Sequence, residues 1–197
     1  DSSIAVALVK YEIEEKIYTD KFEFYLTTSS NNFLAKSVDF WDDTLKNFDP
    51  LPGNNLVYDV GIKYGCGNGN KIRRPIIVSC AYRPPVQMFS LDKYWGQFNI
   101  GGLFDSYTAQ GYDVLFIKDK PGNKSLQEAG DELAEFIKYI NVRKKQNWPG
   151  EDWENVIQGY SMGGQKARYA LLKMEKEHME QGGPHHHTRL YIPYDSP

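Results

Sequence analysis

Gln158-Gly159-Tyr160-Ser161-Met162-Gly163-Gly164 is the stretch on which the fold turns. A Gly-x-Ser-x-Gly element carries chemical meaning only where a strand runs into it and a helix leaves it. The flanks satisfy that condition. Asn155-Val156-Ile157-Gln158 reads as a short strand, and Met162 to Glu180 reads as a helix with Ala167, Ala170, Leu171 and Met174 on one stripe. A tight strand-to-helix turn strains the serine backbone, and Gly159 and Gly163 remove side chains that would collide beside it. The turn would expose the Ser161 hydroxyl next to a helix N-terminus, where main-chain N–H groups favour a developing negative charge. The plainer reading is a glycine-rich turn whose serine caps a helix.

Working towards the N-terminus, Ser125-Leu126-Gln127-Glu128 has capping-box spacing, and Leu126, Ala129, Leu133, Phe136, Ile137 and Ile140 recur at helical intervals behind it. Tyr112 to Ile117 and Pro75 to Cys80 are continuous apolar runs, as expected of strands covered on both faces. Asn99 to Gln110 reads as a helix closed by Gly111, and Leu56 to Tyr64 alternates like an edge-type antiparallel strand. On the C-terminal side, Thr188 to Tyr194 is a further strand. Strands alternating with helices from Leu56 onward imply an α/β domain with a mostly parallel sheet and helices on both faces.

Residues 1–54 read differently. Val9 to Glu14 and Lys21 to Leu26 alternate as strands with one solvated face, a short helix is expected around Val38 to Phe48, and Pro50-Leu51-Pro52-Gly53 punctuates the end. The expected organisation is a small, accessory β-rich region over 1–54 and an α/β core over 55–197.

Composition narrows the function classes. A 197-residue chain that is 41% hydrophobic and carries a net charge of −3 is long enough for one sizeable core and has no basic footprint for nucleic acid. No apolar run approaches the roughly 18–20 residues that span a bilayer. The start at Asp1 has neither Met nor a basic signal-peptide region, and is read as the start of a mature or excised chain, with a lean towards the cell surface or secretion. Cys66 and Cys80 lack metal-ligand spacing; Cys80 reads as a buried thiol, and a Cys66–Cys80 disulfide is the alternative for an exported protein. His185-His186-His187 has no carboxylate or cysteine at ligand spacing, so no metal site and no cofactor are expected.

The segment QGYSMGGQKARYALLKME resembles the nucleophile elbow and following helix of α/β-hydrolase-fold lipases and esterases, bacterial ones of Bacteroidetes type in particular. Arg74 to Pro84 resembles the strand and loop that supply half of the oxyanion hole, and Tyr191 to Pro197 resembles the next sheet strand. The resemblance covers about residues 55–197. It implies Ser161 as nucleophile, with the N–H groups of Met162 and Tyr82 as oxyanion donors. Ser79-Cys80-Ala81-Tyr82 departs from the glycine-containing loop usual in the family, although Ala81 is small. Asp195 follows a strand end where some lipases place the triad acid; the plainer alternative is a loop-capping aspartate.

A serine needs an adjacent base, itself oriented by a third group. The four histidines, His178, His185, His186 and His187, fall on the helix after the elbow or on the loop behind it, at the far side of the sheet. The base is therefore expected outside this sequence. A family sheet would continue past Pro197, since a parallel strand buried on both faces does not close a sheet. The chain is accordingly read as the front part of a longer protein, inactive by itself, whose Leu190-to-Tyr194 edge a second chain or segment would cover. Two functions fit: a serine hydrolase acting on a small-molecule or lipid ester, or a non-catalytic binding or assembly module on the same fold. Tyr82, Tyr94, Trp95 and Phe98 either line an acyl pocket or pack as core.

Overall fold

The computed structural model of the chain describes residues 2–13, 16–27, 41–48, 57–81, 90–120 and 124–196. They form two units, Asp1–Ser37 and Val38–Pro197. The first is an antiparallel hairpin of β1 (Ser2–Ile13) and β2 (Lys16–Thr27), in register from Ser2↔Thr27 to Ile13↔Lys16. Both strands extend beyond the stretches whose alternation marks them in the sequence.

The second unit is built on a six-stranded sheet of order β3-β4-β6-β5-β7-β8. Its strands are β3 (Asp43–Phe48), β4 (Val57–Lys63), β5 (Pro75–Ser79), β6 (Asp113–Lys120), β7 (Asn155–Tyr160) and β8 (Thr188–Tyr194). β3, β4 and β6 pair antiparallel, and β6, β5, β7 and β8 pair parallel. The parallel strands are linked by α1 (Leu91–Phe98), a 3₁₀ turn at Ile100–Gly102, α2 (Leu103–Ala109), α3 (Leu126–Asn147) and α4 (Met162–Gln181).

Successive strand residues point to opposite faces, and each face is covered by its own helices. Ile77, Leu115 and Ile117 pack with Phe136 and Ile140 of α3 and Met174 of α4. Their strand neighbours Val78, Val114 and Phe116 pack with Tyr94 and Trp95 of α1 and Phe104 of α2. This double cover is why β5 is buried at every position and reads as an unbroken apolar run.

Two sequence expectations are corrected here. The helix expected around 38–48 is instead strand β3, whose described pairing with β4 runs from Asp43↔Ile62 to Phe48↔Tyr58. The sheet edge has overridden local propensity: Trp41 seats on Gly61, where an added Cβ would meet its ring, and Leu45 packs against the core under α3. β4, read as an edge, is therefore internal. The helix expected over 99–110 starts late and is preceded by α1, because Gly101 and Gly102 both take left-handed backbone (φ 64 and 74) and divide the segment. Ser90 caps α1 by accepting from Lys93 N. The capping box at Ser125 and Glu128 and the stop at Gly111 (φ 83) form as read.

Asp113, fully buried at the start of β6, fixes the turn between β4 and β5. Its carboxylate accepts from the main-chain N–H of Gly65 (2.8 Å), Arg73 (2.6 Å) and Arg74 (3.0 Å) and from Asn68 Nδ2 (2.8 Å). Asp113→Ala would leave these donors without an acceptor, at about 1–3 kcal/mol for each that water cannot reach. The expected result is a loss of more than about 3 kcal/mol in denaturant unfolding, with Glu180→Ala on the exposed surface of α4 as a near-neutral control.

Candidate active site

The elbow forms where β7 ends. Ser161 has φ 50 and ψ −125, a backbone that side-chain-bearing residues rarely adopt and that costs on the order of 1–3 kcal/mol. Such strain persists only where the surroundings impose it, and here they are specific. Ser161 N–H donates to Tyr194 O (3.0 Å), Gly164 N–H donates to Ser161 O (2.9 Å), and Ser196 Oγ donates to the same carbonyl (2.7 Å). The serine carries no helix-capping hydrogen bond from its side chain, so the plainer capping role does not hold, and it stands exposed.

The glycines are required by contact. A Cβ at Gly159 would strike the Gly164 backbone, one at Gly163 would strike the carbonyls of Ser79 and Cys80, and one at Gly164 would strike Ser196. The elbow, the end of β5 and the end of β8 are thus pressed against one another. Of these partners, Gly159 and Gly163 are legible in the motif; Ser196 is not, because nothing in its sequence neighbourhood marks a hydroxyl that must reach back to residue 161.

Met162 opens α4, and its N–H belongs to the first turn, which has no intrahelical acceptor. Ser79, which ends β5, and Cys80 after it abut Gly163, so the strand that would feed a second oxyanion donor is beside the elbow. Tyr82 itself lies outside the described residues. Asp195 follows the last residue of β8, whose partner in the sheet is Tyr160, immediately before the serine. It is exposed, and among the described residues no hydrogen bond or ion pair holds its carboxylate.

The surroundings are apolar on one side and ionic on the other. Tyr160 packs against Phe98 (4.2 Å between ring centroids) and Tyr194 (5.1 Å), and Gln158 Nε2 donates to its hydroxyl (2.6 Å). Burial, then neighbouring Tyr194, pushes the Tyr160 phenol well above its ordinary value, so it stays neutral at working pH. Tyr94 and Trp95 are buried beneath α1 and serve as core, while half-buried Phe98 reaches the elbow. On the opposite face, buried Lys166 of α4 is paired with Asp119 near the end of β6, tying α4 to the sheet. A buried pair of this kind gives little net stability but makes loss of either partner costly.

The histidines sit at the other end. Asn155 N–H, at the start of β7, donates to His187 O (2.7 Å), and the six residues of β7 separate that point from Ser161 by about 20 Å. Burial and neighbouring histidines hold His186 below its ordinary value, and burial does the same for His187. The expectation that no carboxylate lies near them is corrected. Glu175, ten residues upstream, swings over His185 and His186 because α4 carries it one turn above the loop that returns to β8. Cys66 is an exposed free thiol and Cys80 a buried one, so no disulfide joins them.

Solved structures with this architecture include the esterase Est2 of the planctomycete Thermogutta terrifontis. With propionate bound it superposes with a TM-score of 0.51 at 11% identity, over 78% of this chain and 54% of that one. With butyrate bound it gives 0.51 at 12% identity, over 78% and 53%. The fold is that of the α/β-hydrolases. The chain spans about half the length of the esterase chains it matches. No protein-family model and no curated protein sequence matches it. None of the helices described is long and apolar enough to cross a membrane.

Proposed function

We propose that this α/β-hydrolase-fold protein is a serine hydrolase of the carboxylic ester type, working through an acyl-enzyme on Ser161. The observation that carries the reading is the strained, exposed serine at φ 50, whose main chain is held by three hydrogen bonds at the head of α4. A turn that only joined a strand to a helix would relax to unstrained backbone. In the proposed reaction Ser161 Oγ attacks the ester carbonyl carbon, its proton passes to a histidine, and the developing oxyanion is held by Met162 N–H and by the N–H of Tyr82. Collapse expels the alcohol, which takes that proton back, and water then releases the acid by the same route.

The histidine of this scheme lies outside the 197 residues, because the four present are at the opposite end of α4. Asp195 is the proposed acid: it stands at the end of the strand paired beside the elbow, with its carboxylate uncommitted among the described residues. A small-molecule or lipid ester is the proposed substrate, and a further segment or second chain along the outer edge of β8 the proposed completion of the sheet. Leu190 (49% exposed) and Tyr194 (57%) on that strand support such a cover.

The test is a fluorophosphonate probe on the full-length protein. Labelling that disappears in Ser161→Ala supports the reading, and equal labelling of both would sink it. The distance of all four histidines from Ser161 also favours a second reading, a non-catalytic binding or assembly module. Absence of labelling in a protein that unfolds cooperatively would select it.

A further inference from the structure

The cluster at the far end of α4 is not part of the proposed chemistry, yet it has the layout of a ligand set. Glu175 Oε2 is buried and makes no hydrogen bond, although the rest of the side chain is partly exposed. It faces His186 Nε2 at 3.4 Å and His185 Nε2 at 3.6 Å, and all three donor atoms lie within 4.8 Å of one another. Ligands at about 2.0–2.2 Å from a tetrahedral zinc stand roughly 3.3–3.6 Å apart. The two Glu–His separations match that edge length. They are longer than good N–H···O hydrogen bonds.

We propose that Glu175, His185 and His186 form a binding site for a divalent transition-metal ion of the zinc class, clamping the C-terminal half of α4 to the loop that enters β8. Two imidazoles and one carboxylate suit zinc and its neighbours rather than calcium or magnesium. The site is about 21 Å along α4 from Ser161, since Glu175 is fourteen residues on. Its role is therefore structural. His178 stands beside the set. Its Nδ1 is 2.6 Å from Gly183 O, and a carbonyl only accepts, so the proton is on Nδ1 and the Nε2 lone pair is bare. Its ring centroid is 5.2 Å from that of His185.

The proton balance gives the proposal a distinctive signature. His185 Nδ1 accepts from His187 N–H (3.1 Å) and His186 Nδ1 from Thr188 N–H (2.9 Å), so without metal both rings carry their proton on Nε2. A metal ion takes the Nε2 lone pairs, and each ring stays neutral by holding its proton on Nδ1 instead. No proton is released, and two main-chain N–H groups lose their acceptors. Binding thus loosens the 187–188 amides while fastening the side chains.

The experiment is calorimetric titration of Zn²⁺ into chelator-treated protein bearing no added histidine tag, at neutral pH. One ion per chain is expected. Glu175→Gln and His186→Ala should each weaken binding at least about tenfold. His187→Ala, whose ring faces Asp152 (3.6 Å) and not Glu175, should stay within about twofold of wild type. Amide exchange at His187 and Thr188 should quicken on adding Zn²⁺. Glu175→Gln binding as tightly as wild type would show a histidine tract acting without the carboxylate and would overturn the site, as would the absence of saturable binding. The Glu175 side chain is partly exposed on α4, and unchanged unfolding of Glu175→Gln excludes a folding defect as the cause of any loss.

Discussion

On the proposed acyl-enzyme route, Ser161→Ala in the full-length protein is expected to lower ester turnover by about 10⁶-fold while leaving unfolding unchanged or slightly stabilised. Members of a catalytic triad act as a unit, so removing the nucleophile forfeits the covalent route altogether and leaves only oxyanion and binding terms. Alanine does not relieve the φ 50 backbone, because the contacts that impose it come from Tyr194, Gly164 and Ser196. The measurement is hydrolysis of a short p-nitrophenyl ester beside denaturant unfolding of both proteins. The same assay on residues 1–197 alone should give no more than about 10³–10⁴-fold over water, since the proposed nucleophile and Met162 amide are present and the proposed base is a histidine outside them. Ser161-dependent turnover at an ordinary enzyme rate by the isolated chain would place the base among its own histidines, against the geometry of α4.

Gly163→Ala is the second large effect. The added Cβ would meet the carbonyl oxygens of Ser79 and Cys80, which are main-chain atoms of the central strand β5 and its exit. No side chain can rotate away to absorb it. Either α4 lifts at its first turn or the end of β5 retreats, and both movements would displace a proposed oxyanion donor. An acceleration loss of about 10²–10³-fold is expected, comparable to removing one such donor, together with about 1–3 kcal/mol of overpacking strain. Gly150→Ala is the contrasting control. That residue has positive φ (90), unlike Gly163 in the first turn of α4, and open space around it, so it should pay only the backbone cost of about 1–2 kcal/mol and leave turnover intact. Turnover by Gly163→Ala as high as by Gly150→Ala would show that the β5 contact does not hold the elbow.

The parts of the fold that were legible in the sequence are those where one physical demand acts alone. β5 and β6 are covered on both faces, and such strands read as apolar runs whatever their neighbours. α3 announces itself through a local capping box, and the elbow through glycines whose contacts are with residues a few positions away or with main chain. What stayed hidden depends on distant partners. β3 is a strand because β4 offers it an edge and Gly61 leaves room for Trp41, neither of which the 38–48 segment encodes. α1 was missed because Leu91–Phe98 reads as a loose aromatic stretch until Phe116, Phe104 and Tyr160 are seen packed against it.

The candidate site divides along the same line. Ser161 and Met162 follow from a local motif, and the register Tyr160↔Tyr194 brings Asp195 beside them through strand pairing that alternation implies only loosely. Ser196 and Glu175 act across folds in the chain, thirty-five residues from Ser161 in the first case and ten from His185 in the second, with no periodic signal to reveal either.

The central claim is that Ser161 becomes acylated during turnover. Its most direct measurement is acid quenching of the full-length protein during reaction with a p-nitrophenyl ester, followed by peptide mass mapping. The account predicts the acyl mass on the peptide containing Gly159 to Gly164, localised to Ser161, and its loss in Ser161→Ala. Turnover with the acyl group on another residue, or with none on Ser161 under conditions where the p-nitrophenol burst is complete, would contradict it.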